Sequence, residues 1–355
     1  MKVYSIKSVG YIGASTDQRY IAKTLPKMKD YCDLNLSLNT SFFDTCVHVG
    51  GMVTSRIMPK LNIKLKPHIP VAFMQGKSGD VLFGYGVRPF EKNNRPFVYW
   101  ETFCPPTIIK SRIRWTFDDY RYAHKEAVRD ADIVMTPLQS SAESFRLLFP
   151  EKATCVRIVP FFMPRVGELL SKQRVVSDTD LIKVLFVGSD AVRKGLPELI
   201  KAWKSLPKTV RQMARLHIVS MMRDGEVKLP DDVIHHGYSD DPNQQFLSSD
   251  ILVFPTLEDA FGFVLVEGMA AGCAIVATDD PIRRDILGND GAIFTAPTDT
   301  QSFANALECL ILDSDLRKQL SFFGRERARM MFEPDIVAKQ HFRCFNEAIE
   351  IKRQL

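Results

Sequence analysis

The chain has 355 residues, of which 45% are hydrophobic and 25% are charged. This composition excludes a mainly disordered protein, and the length predicts about two domains. No run of 18 apolar residues is present, so we predict no membrane-spanning helix. The seven cysteines are widely spaced and form no CxxC pair, which favours a reducing, cytoplasmic setting.

The charge is divided unevenly along the chain. Residues 1–170 carry 24 Lys and Arg against 15 Asp and Glu, whereas residues 171–355 carry 23 and 27. A basic half is typical of a protein with an acidic partner, such as an anionic membrane surface, and equally of a solvated basic face with no partner.

Short apolar runs alternate with amphipathic stretches in the first half of the chain. The runs predict strands at Val3–Ile6, Thr45–Val49, Val71–Met74, Phe97–Trp100, Ile133–Thr136 and Val156–Val159. The stretches between them predict helices at Arg19–Lys29, Asp118–Arg129 and Ser141–Phe149.

The same alternation restarts in the second half. It predicts strands at Lys183–Val187, Arg215–Ser220, Ile251–Phe254 and Ala274–Thr278, and helices at Leu196–Ser205, Gln244–Ser248, Val264–Ala271 and from Thr300 onward. Alternating strands and helices indicate parallel sheets, so we predict two doubly wound α/β domains. The predicted domains are 1–165 and 181–335, with a linker at 166–180 and a C-terminal helix at 336–355 that crosses back to the first domain.

The segment from Leu257 to Asp280 carries the strongest chemical signal. It follows a predicted strand with an acidic loop and a helix that Gly272 ends. The backbone N–H groups of Phe261, Gly262, Phe263 and Val264 would lie at the helix N-terminus, which is a site for phosphate. Carboxylates such as Asp259 and Glu267 accept hydrogen bonds from vicinal hydroxyls of a sugar or ribose.

The spacing Asp259-x7-Glu267 around Phe-Gly resembles the glutamate-x7-glutamate motif of the retaining family 4 glycosyltransferases, which have the GT-B fold. The resemblance implies two Rossmann-like domains that face a central cleft. It also implies that Asp259 contacts the donor sugar and Glu267 holds the ribose of the nucleotide. The sequence departs from the family in that its first acid is an aspartate and Ala260 replaces a glycine.

A second segment, residues 184–203, resembles the loop of this family that binds the donor diphosphate. Gly188 and Lys194 match the family in spacing, whereas Ser189 stands where the family has an arginine. Arg193 is adjacent and is predicted to supply the missing cation. Because the nucleoside diphosphate leaves with negative charge, Lys194 and Arg193 are the predicted catalytic cations, together with Asp259.

The candidate residues in the first half rest on weaker patterns. Gly10 and Gly13 follow the first strand and are predicted either to approach the donor phosphates or to form an ordinary turn. Gln75 occupies the position of a family histidine on the acceptor side. His48 and Glu101, each at a predicted strand end, are the other acceptor-side candidates.

The resemblance therefore predicts a retaining transfer of a sugar from UDP or GDP to a hydroxyl acceptor on a glycan, a lipid or a protein glycan. The nucleotide sugar is a co-substrate, and no metal ion or other cofactor is expected. We expect contact of the basic N-terminal domain with an anionic membrane and no nucleic-acid partner. A nucleotide-sugar epimerase of the GT-B fold and a non-catalytic nucleotide-sugar-binding protein remain as alternatives.

Overall fold

The computed structural model describes residues 2–6, 27, 35–39, 71–72, 81–85, 88–89, 95–103, 116–174, 181–222, 227–239, 241–257 and 259–355. The chain divides into two compact units. Unit 1 comprises Met1–Phe162 and Pro334–Leu355, and unit 2 comprises Met163–Glu333. Within the described ranges, no helix combines the length and the apolar character that a bilayer crossing requires.

Unit 1 is built on a parallel sheet in the order β2-β1-β4-β6-β7-β8. Its strands are β1 (Lys2–Ile6), β2 (Asn35–Asn39), β4 (Val81–Tyr85), β6 (Phe97–Trp100), β7 (Ile133–Thr136) and β8 (Val156–Ile158). A two-stranded parallel sheet pairs β3 (Val71–Ala72) with β5 (Arg88–Pro89). Strands β6 and β7 are buried throughout, because both are continuous apolar runs rather than alternating ones.

The described α-helices of unit 1 are α1 (Phe117–Asp130), α2 (Gln139–Leu148) and the C-terminal helix, which is labelled α11 below (Pro334–Gln354). Thr116 caps α1 with a capping box that also involves Asp119. Helix α11 packs on the sheet of unit 1: the ring of Phe345 lies 5.4 Å from that of Phe83, edge to face.

Unit 2 is built on a second parallel sheet in the order β11-β10-β9-β12-β13-β14. Its strands are β9 (Ile182–Gly188), β10 (Ala214–Ser220), β11 (Val233–His235), β12 (Ile251–Phe254), β13 (Ala274–Thr278) and β14 (Ile293–Thr295). The chain lays down β9, β10 and β11 toward one edge and then returns to place β12 beside β9. The direction of winding therefore reverses between β9 and β12, and ligands of such sheets bind at the carboxyl ends of the strands on either side of this point.

The helices of unit 2 are α3 (Pro164–Ser171), α4 (Leu196–Ser205), α5 (Lys208–Gln212), α6 (Asn243–Leu247), α7 (Phe263–Ala271), α8 (Pro281–Leu287), α9 (Thr300–Leu312) and α10 (Ser314–Phe332). Helix α7 is buried on nearly every side. A Cβ atom at Gly268 would lie 2.3 Å from Cδ2 of Leu252, so the glycine allows α7 to pack closely on β12.

Some predicted boundaries differ from those of the structure. The predicted linker 166–180 begins inside α3, and the helix predicted at 336–355 begins at Pro334. The predicted strand Thr45–Val49 lies outside the described residues, as does nearly all of the predicted helix Arg19–Lys29.

Candidate active site

The loop between β9 and α4 holds the predicted cation Lys194. Gly195 caps α4 with a φ of +79°, which favours glycine, and a Cβ atom there would lie 2.2 Å from the carbonyl oxygen of Pro255. The glycine therefore lets this loop lie directly against the end of β12. As a result, residues more than 60 positions apart come into contact at the switch point of the sheet.

Lys194 and Asp259 form an ion pair at this point. Lys194 Nζ donates to Asp259 Oδ2, and the two side chains are only 13% and 15% exposed. Burial lowers the pKa of the Lys194 amine, whereas the neighbouring Asp259 carboxylate favours its charged form. The structure thus brings together two of the three residues predicted to be catalytic.

Arg283 supplies a second cation beside this pair. It lies in the first turn of α8, is fully buried, and donates through Nη2 to the Thr256 carbonyl at 3.0 Å and through Nη1 to Asp280. Its guanidinium lies 5.4 Å from the ring of Phe254, and Lys194 Nζ lies 5.7 Å from the same ring. Burial lowers the pKa of Arg283 to about 10, and Asp259 counteracts that effect.

Arg283 is not among the residues predicted from the sequence. Asp280 is the N-cap of α8, where it accepts a hydrogen bond from the Arg283 backbone at 2.8 Å. The signal was present in the sequence, because an aspartate followed by proline at the next position is typical of a helix start. Asp279 pairs with Arg284 on the surface.

The N-terminus of α7 lies next to Asp259, as the sequence predicts. Its cap residue Gly262 has a φ of +110°, and no side chain within the described ranges caps the first turn. Phe261 is fully buried and its ring packs 5.0 Å from that of Phe263. Phe263 and Val264 are half-buried. A helix end of this kind attracts anions, because its first N–H groups carry the positive end of the dipole.

Glu267 lies one turn further into α7 and is buried, with a side chain that is 5% exposed. Arg165 Nη1, at the start of α3, donates to Glu267 Oε1 at 3.0 Å. Burial raises the pKa of the Glu267 carboxyl, and the Arg165 cation opposes that shift. Sequence reasoning did not single out Arg165, because it lies 102 residues away and no local pattern connects the two side chains.

The other predicted donor-side residues lie on the loop after β9. A Cβ atom at Gly188 would lie 3.0 Å from Cγ of Lys194, so this glycine leaves room for the lysine stem. Ser189 is exposed. Arg193 pairs with Asp190 on the same loop, with Nε at 3.2 Å from Oδ2.

The remaining predicted residues belong to unit 1. Glu101 follows β6, and its Oε1 accepts a hydrogen bond from the Thr102 backbone at 2.9 Å. Four predicted residues lie outside the described part of the chain: Gly10, Gly13, His48 and Gln75.

Comparison with known proteins places this site in a family. The sequence pattern described as "Glycosyl transferases group 1" matches residues 169–327, which contain Lys194, Asp259, Glu267 and Arg283. This confirms the resemblance to glycosyltransferase family 4 that the acidic motif predicts.

One curated relative of this chain is the phosphatidyl-myo-inositol mannosyltransferase of Mycolicibacterium smegmatis, which is 33% identical over 174 residues. The match covers 46% of this chain and 44% of that protein, so the chain spans less than half the length of the curated relatives it first matches.

Solved structures resemble the whole chain at low sequence identity. Anabaena Alr3699/HepE in complex with UDP and glucose aligns with a TM-score of 0.64 at 15% identity, over 97% of this chain and 98% of that one. A structure titled trehalose-6-phosphate from E. coli, bound with UDP-2-fluoro glucose, aligns with a TM-score of 0.67 at 11% identity, over 99% of both chains. These likenesses confirm the predicted GT-B fold, with two Rossmann-like α/β domains.

Proposed function

We propose that this chain is a glycosyltransferase that moves a sugar from a nucleoside-diphosphate sugar, with UDP or GDP as the nucleotide, to a hydroxyl acceptor. The observation that carries the proposal is the buried Lys194–Asp259 pair at the switch point of unit 2, beside the N-terminus of α7. The group 1 family match and a structural neighbour that holds UDP and glucose support a nucleotide-sugar donor.

Each residue of the site has a chemical task in this reaction. Lys194 and the N–H groups at the start of α7 stabilise the negative charge that develops on the departing diphosphate. Such fixed dipoles and cations act strongly in a site from which water is largely excluded. Asp259 holds Lys194 when no donor is bound and contacts the sugar hydroxyls when one is, while Glu267 accepts hydrogen bonds from the ribose.

The transfer retains the anomeric configuration in this proposal. The bond between the sugar C1 and the diphosphate oxygen breaks, and the acceptor oxygen bonds to C1 on the same face. The acceptor proton passes to the departing phosphate oxygen, which serves as the base. The protein cations balance the diphosphate charge, so the reaction needs no divalent metal.

The acceptor is a hydroxyl of a glycan, a lipid or a protein glycan. A relative named as a phosphatidyl-myo-inositol mannosyltransferase supports a lipid-linked acceptor, and the basic first half of the sequence suits an anionic membrane surface. We place the protein in the cytoplasm, in peripheral contact with that surface, and expect no nucleic-acid partner.

Titration calorimetry against UDP- and GDP-sugars tests the donor class, and incubation with the donor alone separates the alternatives. A glycosyltransferase slowly hydrolyses its donor or forms product when acceptor is added. An epimerase yields an isomerised donor, and a binding protein leaves the donor unchanged.

NMR of the anomeric proton coupling then tests retention, since an α-linked donor is expected to give an α-linked product. A β-linked product would overturn the mechanism.

A further inference from the structure

Glu267 is an acidic side chain in an otherwise apolar helix. Helix α7 (Phe263–Ala271) is buried on nearly every side, and Glu267 itself is almost wholly enclosed. A carboxylate in such surroundings is costly unless a cation and hydrogen bonds compensate it. The way in which this carboxylate is held therefore bears directly on what it can bind.

Arg165 holds it. Its Nη1 donates to Glu267 Oε1 at 3.0 Å, and no other hydrogen bond reaches the carboxylate within the described part of the chain. The Arg165 side chain is itself 27% exposed, so it reaches inward from the surface of unit 2. The pair leaves Oε2 of Glu267 as the oxygen that can accept from a ligand.

Helix α3 fixes the position of Arg165. Pro164 starts the helix and sets its first turn, while Val166 and Leu169 are buried. At the other end of the helix, Arg325 of α10 donates to the carbonyls of Leu170 at 2.7 Å and of Lys172 at 2.8 Å. Arg165 therefore belongs to a helix, α3, that is held in place at both ends.

The charge state of the Glu267 carboxyl depends mainly on Arg165. Arg165 lowers the pKa of the Glu267 carboxyl, whereas burial and the nearby Asp241 raise it. Glu168, one turn after Arg165 on α3, is directed to Asn243, whose Nδ2 lies 3.5 Å from Glu168 Oε2. Without Arg165, burial and Asp241 would both favour the protonated carboxyl, which accepts hydrogen bonds less strongly.

We propose that Arg165 is a positioning residue for nucleotide recognition: it orients the Glu267 carboxylate so that Oε2 accepts hydrogen bonds from the ribose hydroxyls. This inference rests on the proposed function. It assigns to the first turn of α3 a part in ribose selection, although Arg165 itself does not touch the nucleotide.

The test compares ribose with deoxyribose. Calorimetric Kd values are measured for UDP and GDP and for their 2′-deoxy forms, with the wild-type chain and the variants Glu267→Gln, Arg165→Met and Arg165→Lys. We expect the wild type to prefer the ribose form by about ten-fold or more, which is typical of a hydrogen bond to a charged group. Arg165→Met should lose that preference, and Arg165→Lys should restore part of it.

Arg174→Met is the matched control. Arg174 also pairs with an acid in unit 2, with Nη2 at 2.7 Å from Asp250 Oδ1, and its side chain is 34% exposed. We expect this variant to keep the wild-type preference for ribose. A loss of preference in both arginine variants would indicate a general structural effect and would overturn the inference.

A double-mutant cycle covers the case in which Arg165→Met folds poorly. Removal of both charges in Arg165→Met/Glu267→Gln leaves no unpaired buried carboxylate, so this chain is expected to fold. If Arg165 acts through Glu267, the second substitution adds no further loss of affinity for UDP or GDP; independent, additive losses would overturn the inference. If Glu267→Gln alone keeps the ribose preference, the ribose role in the proposed function fails instead.

Discussion

The two units bury their polar side chains in different chemical states. In unit 1, Tyr99 and His124 share a hydrogen bond of 2.7 Å inside an aromatic core, and the buried His341 ring lies 4.9 Å from that of Trp100. Burial lowers the pKa of His124 to about 3 and that of His341 to about 4, so both are neutral near pH 7. In unit 2, by contrast, the buried polar side chains include charged groups that form ion pairs.

In three acid–base pairs of unit 2 at least one charged side chain is largely enclosed: Lys194 with Asp259, Arg283 with Asp280, and Arg165 with Glu267. None of these side chains lies on a strand: all are in loops or at helix starts except Glu267, which lies in the second turn of α7. Burial of a charge costs several kcal/mol unless it is paired, so a stable fold alone does not explain them. The charged pairs of unit 2 agree with the nucleoside-diphosphate donor that we propose, whereas the described core of unit 1 serves packing.

Substitution of Asp280 should have the largest effect of the changes that test this contrast. Asp280→Asn keeps the helix cap, because Asn and Asp cap equally well, but it removes the ion-pair partner of the buried Arg283. We expect a loss of about 3–5 kcal/mol in the free energy of unfolding, measured by urea denaturation. Asp299→Asn, at the exposed N-cap of α9, is the control and should cost little. Equal costs at the two caps would contradict the role of the buried pair.

Lys194→Met should lower turnover by about 10²-fold or more, since Lys194 faces the charge that develops on the leaving group. Steady-state rates with the nucleotide sugar that binds in calorimetry measure this effect. Lys201→Met, at an exposed position of α4, should leave the rate unchanged. A larger loss in Arg193→Met than in Lys194→Met would assign the essential cation to the neighbouring residue.

The neutral histidines of unit 1 predict a smaller, pH-dependent effect. The folded pKa of His341 is about 4, below the usual 6.5, so its contribution is complete above pH 6.5 and is lost as the pH falls toward 4. For each unit by which the pH falls within that window, each such histidine should lower the free energy of unfolding by about 1.4 kcal/mol. Urea denaturation at several pH values should show that the free energy of unfolding falls less steeply with decreasing pH for His341→Phe than for the wild type.

Chelation should have the smallest effect. If the cations of unit 2 balance the diphosphate charge, dialysis against EDTA should leave the rate of sugar transfer close to that of protein dialysed without EDTA. Added Mg²⁺ or Mn²⁺ should then change it only modestly. Complete loss of activity after chelation, with recovery on addition of a metal, would show that the protein cations are insufficient.

Elements with a strong apolar pattern were predicted correctly from the sequence. The strands Phe97–Trp100, Ile251–Phe254 and Ala274–Thr278 and the helix Leu196–Ser205 have the predicted bounds. The strands are continuous apolar runs, and the helix has an apolar face with a regular period. The elements that were missed include α5 (Lys208–Gln212), α8 (Pro281–Leu287) and β14 (Ile293–Thr295), because they are neither continuous apolar runs nor helices long enough to show a period.

For the site, the sequence by itself determined the features that are local along the chain. One continuous segment predicts the helix N-terminus after Asp259, the position of Glu267 within α7 and the resemblance to the family. The pairing of these residues depended on the tertiary structure. Lys194 meets Asp259 because β9 and β12 are neighbours and Gly195 allows their loops to touch, and Arg165 meets Glu267 because α3 packs on α7. Such contacts join residues 65 and 102 positions apart, and only the packing of the sheet and helices brings them within hydrogen-bonding distance.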